Sequence, residues 1–184
     1  MRFSALLFIA LLACAPALHA AEWSAAAAQS TLGFAGTAEG MAFEGQFKQF
    51  TPNIRFDPAD LSSARFDVEI ALASADTGNQ DRDQTLQGGD FFATKRFATA
   101  RYVATAFRDL GNGRFAADGT LSLRGVEKPV TLEFSWAAEG ENATLDGTAT
   151  VNRLDFQIGA GDWADASTIS HEIRVKTHLQ LAPR

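Results

Sequence analysis

Three aspartates and one arginine stand close together near the middle of the chain: Asp81, Arg82, Asp83 and Asp90. Carboxylates at this spacing could bind calcium, or could supply the acid and the base of a hydrolytic reaction. Aspartate is also the residue that most often caps helices and forms hydrogen bonds within loops. We interpret the three aspartates as capping and loop-bonding groups, and we keep the acid/base or calcium site as the alternative.

Arg82 and Asp83 allow two interpretations. The planar guanidinium of Arg82 suits a diphosphate, a quinone oxygen or a carboxylate at the mouth of a pocket. Alternatively, the pair ties its segment to the rest of the protein through charge-assisted hydrogen bonds. We favour the second role for the pair and retain Arg82 as a candidate ligand contact.

Other reactive groups are sparse. His171 and His178 lie seven residues apart on one predicted strand, so they point to opposite faces and cannot share a metal ion. The sequence has no haem-attachment motif, no nucleophile elbow and no phosphate-binding glycine loop. Cys14 is the only cysteine, which excludes an internal disulfide. We therefore expect no enzymatic reaction, no cofactor and no metal site.

Aromatic residues are concentrated where they could contact an apolar ligand. A 24-residue connection, residues 74–97, carries three phenylalanines between two strand-like segments. That much apolar surface argues against disorder, and long connections in compact domains are often functional, so we predict a lid. The predicted ligand contacts are Phe34, Phe43, Phe47, Arg82, Leu86, Phe91, Phe92, Phe97, Phe107 and Trp163.

The elements that must position these side chains are predicted to be strands. Apolar and polar residues alternate strictly in residues 65–72, 129–136 and 171–181, and more weakly in six other segments. Gly111-Asn112-Gly113 is typical of a tight hairpin. The pattern predicts an all-β fold of about eight antiparallel strands that closes into a barrel to remove its edges. One short helix, capped by Asn79 or Asp81, is predicted from Arg82 to Leu86, and a second turn, capped by Thr94, is predicted over Lys95-Arg96-Phe97.

Small residues interrupt the predicted inward rows, for example Gly45 between Phe43 and Phe47, and Gly147 between Leu145 and Ala149. An eight-stranded barrel can either pack solid or hold one small ligand. The glycines either leave room for that ligand or allow large neighbouring side chains to interdigitate. The sequence leaves both interpretations open.

The first twenty residues have the pattern of an export signal: one positive charge, an apolar run and small residues up to Ala20. Cleavage there would leave residues 21–184 as one domain in the periplasm. Leu11-Leu12-Ala13-Cys14 also resembles a lipobox, in which Cys14 would be acylated. The net charge of −6 argues against binding nucleic acid or anionic membrane surfaces. We predict the soluble periplasmic form and keep the lipoprotein as the alternative.

Several segments, taken in order, resemble the YceI family. They include Gly45–Phe50, Ser74–Gly78, Arg82-Asp83 with Leu86, Asp90–Phe92, Asp118–Val130 and Val151–Gly159. The resemblance covers residues 22–181 and implies an eight-stranded, lipocalin-like barrel that holds an isoprenoid, quinone or fatty-acyl chain. Many members have a histidine where this chain has Gln29-Ser30. The Gly161-Asp162-Trp163 run resembles a branch whose domains are sometimes fused to a membrane cytochrome b.

Residues and resemblance together predict an exported carrier that binds one long apolar lipid inside the barrel and catalyses nothing. Two alternatives remain. One is a lipid-modifying enzyme that uses Asp83, Asp90 or His171, and the other is an accessory module that docks on a quinone-linked cytochrome b. The sequence does not identify the lipid or the oligomeric state.

Overall fold

The computed structural model describes residues 22–184. The predicted export signal and Cys14 lie outside the described residues. The strands and the one α-helix of this part of the chain are β1 (Glu22–Ala25), β2 (Thr31–Ala38), β3 (Met41–Phe47), β4 (Phe50–Arg55), β5 (Arg65–Ala71), β6 (Ala75–Asp76), α1 (Gln80–Gln87), β7 (Thr99–Gly111), β8 (Arg114–Leu123), β9 (Val126–Glu139), β10 (Asn142–Asn152) and β11 (Glu172–Pro183). No helix in residues 22–184 has the length and apolar character needed to cross a bilayer.

These strands form one closed antiparallel barrel. β1 and β2 both pair with β11 and are two halves of one interrupted strand. β3 and β4 are likewise two halves of the next strand, which pairs with β2 and β1, and β5 and β6 are two halves of the strand after that, which pairs with β4 and β3. The barrel therefore has eight staves, and the β1–β4 and β1–β11 pairings close it. The predicted eight-stranded antiparallel barrel is confirmed. Closure leaves no long unpaired edge to template aggregation.

The alternation predicted from the sequence sets the two faces of the wall. On β11, Val175 and Leu179 face the interior, whereas Arg174 and Lys176 are exposed. A bulge between Ala104 and Ala106 in β7 shifts the pattern by one residue. As a result Phe107 joins the interior side chains.

The barrel has a floor end and a cap end. Both described chain ends lie at the floor, where Trp23 pairs with Pro183 and the Arg184 N–H donates to the Glu22 carbonyl (2.9 Å). The loop of residues 56–64 and the hairpins at Asn112 and Gly140 lie at the same end. At the opposite end are the hairpins at Gly40 and Gly125 and two long connections. We call these connections the α1 cap (residues 77–98) and the Arg153 cap (residues 153–171).

Aromatic side chains fill the floor end. Phe56 is fully buried, and the centroid of its ring lies 4.8–6.0 Å from those of five other aromatic rings. These five neighbours are Phe66, Phe107, Phe115, Phe134 and Trp136. The Nε1–H of Trp23 donates to the carbonyl of Phe56 (2.9 Å). This packing fills the floor with side chains, and of the six rings only Phe66 also borders a cavity.

The α1 cap contains the predicted helix. The Asn79 side chain accepts a hydrogen bond from the Arg82 N–H (3.0 Å) and so caps α1. The second predicted turn is shorter than a helix: the N–H groups of Arg96 and Phe97 both donate to the carbonyl of Ala93, and no further turn follows. The Thr94 hydroxyl does not cap this turn but donates a hydrogen bond to the carbonyl of Gln87 (3.3 Å).

Candidate functional site

The half of the barrel towards the caps encloses a cavity of about 380 Å³. This volume falls within the range of roughly 300–1,000 Å³ that is usual for small-molecule sites. The row from Ile173 to Leu179 on β11 lines one wall, and its six residue steps correspond to about 20 Å along the strand. Most lining side chains are apolar. The cavity is long and narrow enough to suit a chain.

Eight of the ten predicted ligand contacts line this cavity: Phe34, Phe43, Phe47, Arg82, Leu86, Phe91, Phe92 and Trp163. Three of them form a continuous aromatic wall. The ring centroids of Phe34 and Phe47 lie 5.2 Å apart, and those of Phe47 and Phe92 lie 5.9 Å apart. The barrel and the α1 cap therefore share one apolar surface. A ligand-binding role for these residues stays a prediction.

Phe97 and Phe107 do not line the cavity. Phe97 packs over Gly125 in the β8–β9 hairpin, where a Cβ on the glycine would lie 3.0 Å from the ring. Phe107 belongs to the floor, with its ring centroid 4.9 Å from that of Phe66. Both side chains are used to close the barrel, so neither is part of the candidate site.

The glycines on the inward rows make room for neighbouring side chains. A Cβ added at Gly45 would lie 2.4 Å from the ring of Phe34, and one at Gly147 would lie 3.0 Å from the side chain of Leu132. The ring of Tyr102 occupies the corresponding space at Gly119. Of the two interpretations left open by the sequence, interdigitation is the correct one for these three positions. The cavity arises elsewhere, beneath the caps.

Arg82 and Asp83 have separate roles. Asp83 accepts hydrogen bonds from the N–H (2.8 Å) and the hydroxyl (2.7 Å) of Thr77, and so ties α1 to the end of β6. The Arg82 guanidinium carbon lies 5.9 Å from the ring centroid of Phe43 at the cavity. The structural interpretation of the pair therefore applies to Asp83, whereas a ligand contact by Arg82 stays a prediction. Asp83 holds the cap, and Arg82 faces the cavity.

Arg153 organises the second cap, and the sequence analysis did not single it out. Its side chain is 3% exposed, and all five of its N–H groups donate to backbone carbonyls. The acceptors are the carbonyls of Ile158, Gly159, Trp163, Ile169 and Ser170. No carboxylate is paired with it within the described chain, and burial lowers the pKa of the guanidinium. The guanidinium of Arg153 thus holds five carbonyls of an irregular loop together over the barrel.

The two caps are joined to each other. Arg124, in the β8–β9 hairpin, donates to the carbonyls of Gly89 in the α1 cap and Gln157 in the Arg153 cap. The N–H of Gly159 donates to the carbonyl of Asp90 (2.7 Å). The ring centroids of Phe91 and Trp163 lie 5.6 Å apart across the same seam. The caps therefore form a single cover over the cavity.

The mouth of the cavity lies where its lining residues reach solvent. Four lining side chains are exposed: Glu39 in the β2–β3 hairpin, Arg82 and Thr85 on α1, and Trp163 in the Arg153 cap. The hairpin is tied to the Arg153 cap by the hydrogen bond from the Glu39 N–H to the Thr168 carbonyl (3.0 Å). These exposed residues of the hairpin, α1 and the Arg153 cap border the mouth. The apolar interior therefore opens at a mouth whose charged lining residues are the anionic Glu39 and the cationic Arg82.

The residues of the enzyme alternative do not meet at the cavity. Asp83, Asp90 and His171 are absent from its lining, and His171 Nε2 contacts the Ala164 carbonyl (2.8 Å). Tyr102 lines the cavity, but its hydroxyl lies 2.8 Å from the Ala117 carbonyl in the wall, and burial raises the pKa of Tyr102. Residues 22–184 contain no cluster of three or more potential metal ligands. The site is suited to apolar binding.

Closure, capping and an apolar interior define the class of a lipocalin-like binding barrel. The chain belongs to the YceI-like domain family, whose family model matches residues 23–181. A UPF0312 protein of Pseudomonas putida is 32% identical over 138 residues, which cover 72% of this chain and 71% of the relative. A UPF0312 protein of Shewanella denitrificans is 35% identical over 120 residues, and the match spans 63% of that relative's length.

Solved structures agree with this assignment. Burkholderia cenocepacia BcnA superimposes with a TM-score of 0.82 at 29% identity, and the match covers 86% of this chain and 99% of BcnA. A Campylobacter jejuni YceI protein gives a TM-score of 0.69 at 27% identity over 76% of this chain and 84% of its own. A Saccharophagus degradans domain described as polyisoprenoid-binding shares the fold, with a TM-score of 0.69 at 18% identity, over 90% of this chain and 99% of its own.

Proposed function

We propose that this protein is a carrier that binds one long apolar lipid, an isoprenoid, quinone or acyl chain, inside the barrel. The observation that carries the proposal is the capped apolar cavity of about 380 Å³. The description of the Saccharophagus degradans domain as polyisoprenoid-binding supports an isoprenoid as one ligand class. The cover formed by both caps would keep the bound chain out of water.

The energetics favour such a ligand. Burial of each methylene contributes about 0.8 kcal/mol, so a chain that fills the cavity has a large gross driving force. Ordering of the chain and loss of translational freedom offset much of it, and drug-sized ligands retain roughly 0.3 kcal/mol per heavy atom. A ligand of a few tens of heavy atoms would still bind below micromolar concentration.

Binding without catalysis is part of the proposal. Two polar residues that line the cavity are already engaged, because Arg153 donates all its N–H groups to carbonyls and the Tyr102 hydroxyl is bonded to the wall. A general acid or base needs a titratable group within reach of the substrate. Asp83, Asp90 and His171 lie outside the lining. These observations support a carrier rather than a lipid-modifying enzyme.

The direct test is to purify the protein from its native source, extract it with organic solvent and identify the extract by mass spectrometry. We expect a lipid with a long apolar chain at close to one molecule per protein. Protein that is free of lipid, and that also fails to bind added isoprenoid or acyl probes, would contradict the proposal. The alternative of docking on a membrane cytochrome b can be tested in the same preparation, through the haem absorbance of any co-purified protein.

A matched pair of variants links binding to the cavity. Ala149 lines the cavity, whereas the next residue on β10, Thr150, is exposed on the outer face. We expect Ala149→Phe to fill the cavity and to abolish lipid retention, while Thr150→Phe retains it. Overpacking costs typically ~1–3 kcal/mol, so thermal melts of both variants must show a folded barrel. Equal retention by the two variants would place the ligand elsewhere.

We also propose export to the periplasm with cleavage after Ala20. The sequence pattern of residues 1–20 supports this. The intact mass of the protein from its native envelope should correspond to a chain that begins at Ala21 and carries no lipid anchor. A mass that corresponds to an acylated Cys14 would contradict the soluble form and support the lipoprotein.

A further inference from the structure

The two arginines that line the cavity differ in what they have left to bind. Arg153 has no free donor, because each of its five N–H groups already meets a carbonyl. The side chain of Arg82 has no hydrogen bond and no ion pair with any group in residues 22–184. Arg82 therefore offers five unused donors at the opening of an otherwise apolar space.

The backbone of Arg82 is held at the mouth of the cavity. It lies in the first turn of α1, whose start is held by the Asn79 cap and by the Asp83 contacts with Thr77. Its guanidinium lies over the ring of Phe43, in the range in which a cation is attracted to an aromatic face. If a lipid chain lies in the cavity and leaves it at this point, its head group lies beside the guanidinium of Arg82.

The charges near Arg82 do not neutralise it. Glu39 is the other charged group at the mouth, and no oxygen of Glu39 lies within 4.0 Å of the guanidinium, which is the distance of an ion pair. Asp81 is exposed on α1, and Asp83 is occupied with Thr77. The chain as a whole is acidic, but at physiological salt the effect of distant exposed charges falls off over about 8 Å. The local attraction of Arg82 for an acceptor group is therefore available to a ligand.

We propose that the ligand is an amphiphile with an acidic head group, a carboxylate or a phosphate, which pairs with Arg82 at the mouth while its chain lies in the barrel. The inference rests on the proposed lipid-binding function and adds the class of the head group. Guanidinium groups bind both anions through paired N–H donors. A fatty acid and an isoprenyl phosphate share this chemistry, and the experiment separates them.

The test compares head groups on identical chains. Binding of dodecanoic acid is measured against 1-dodecanol, and binding of farnesyl phosphate against farnesol, each below its aggregation concentration and at neutral pH. We expect the wild-type protein to prefer the acidic member of at least one pair by about tenfold, as a charge-assisted pair at a wet rim would provide. The pair that shows the preference identifies the carboxylate or the phosphate as the head group.

Variants assign the preference to Arg82. Arg82→Gln should remove the preference by weakening only the acidic ligand, and Arg82→Lys should restore part of it because the charge returns without the planar fork. Arg96→Gln is the matched control, because Arg96 is an exposed arginine of the same cap whose guanidinium lies 5.0 Å from the Phe97 ring centroid, outside the cavity. It should leave the preference unchanged. Glu39→Gln should increase the preference a few-fold by removing the neighbouring negative charge.

The outcomes separate the two proposals. Equal binding of acid and alcohol by the wild-type protein would overturn the head-group inference and leave the carrier intact. Equal weakening of both by Arg82→Gln would also overturn it, because Arg82 would then contribute only to the shape of the mouth. Failure of all four probes to bind would overturn the carrier proposal itself, and the head-group inference with it.

Discussion

The two ends of the barrel are closed by different interactions. At the floor, Phe56 and its five aromatic neighbours fill the interior with side chains from the wall itself. At the cap end, Arg153 and Arg124 bind the carbonyls of two irregular connections, and these connections bridge the opening without filling it. Aromatic packing at the floor fills the space between the strands, whereas the hydrogen bonds at the cap end hold the connections across the opening and leave space beneath them. The difference explains why the cavity is at one end only.

Removal of a ring from the floor should have the largest effect. Phe56 is fully enclosed, so Phe56→Ala should leave a void and cost about 5 kcal/mol of the free energy of unfolding, while Phe92→Ala should cost about 3 kcal/mol because one side of that ring already faces the cavity. Urea denaturation of the two lipid-free variants measures the difference. If both substitutions cost the same, the two ends pack equally well and the comparison fails.

Loss of the Arg153 guanidinium should loosen one cap and spare the floor. Arg153→Met leaves five carbonyls without their donor, and we expect local opening of residues 153–171 to become easier by about 2–4 kcal/mol. Hydrogen exchange of the amides in the Arg153 cap, compared with those of Phe115 and Phe134 at the floor end of β8 and β9, reports this. Arg174→Met, on the exposed face of β11, is the control. Equal loss of protection in cap and floor would mean that they unfold as one unit.

The smallest effect on stability is expected for Asp118, which lies on the outer face of the wall between the two ends. Hydrogen bonds from Arg108 (2.7 Å) and Thr131 (2.7 Å) lower the pKa of Asp118 to about 2, below its unfolded value of 3.8. Since the folded pKa is the lower one, Asp118 stabilises the protein above about pH 5, and this contribution is lost as the pH falls towards 2.

Asp118 is more than one-third exposed, so solvent screening limits its contribution to below about 1 kcal/mol. Asp118→Asn should therefore flatten the acid limb of the stability curve by that amount and leave lipid retention unchanged. Urea denaturation between about pH 5 and pH 2.5 measures it. An unchanged acid limb would show that the exposed bonds of Asp118 contribute nothing measurable.

The strands of the wall and the helix of the α1 cap could be predicted from the sequence because the patterns that indicate them lie within short stretches of the chain. Alternation placed the strands, Asn79 placed the start of α1, and the phenylalanines of residues 74–97 indicated a lid. The errors concern position along the barrel axis. The bulge between Ala104 and Ala106 turns Phe107 inward, but Phe107 lies near the floor end of β7 and packs on Phe66, and a two-residue period does not show how far along the barrel a residue lies.

The Arg153 cap was missed because its bonds join residues that carry no common pattern. The acceptors of Arg153 are backbone carbonyls, and any residue type could supply them. One signal was present: Leu145, Gly147, Ala149 and Val151 form an inward row, and Arg153 is the next position in it. A charged residue at the end of an inward row must find partners when it is buried. That reasoning indicates an organising role without naming the partners.

Both described chain ends lie at the floor, with Trp23 beside Pro183. Anything attached ahead of Glu22 or after Arg184 therefore starts from the face opposite the mouth. A tether through acylated Cys14 would therefore join the domain at the face opposite its opening. Fusion tags and surface immobilisation at either end leave the entrance unobstructed.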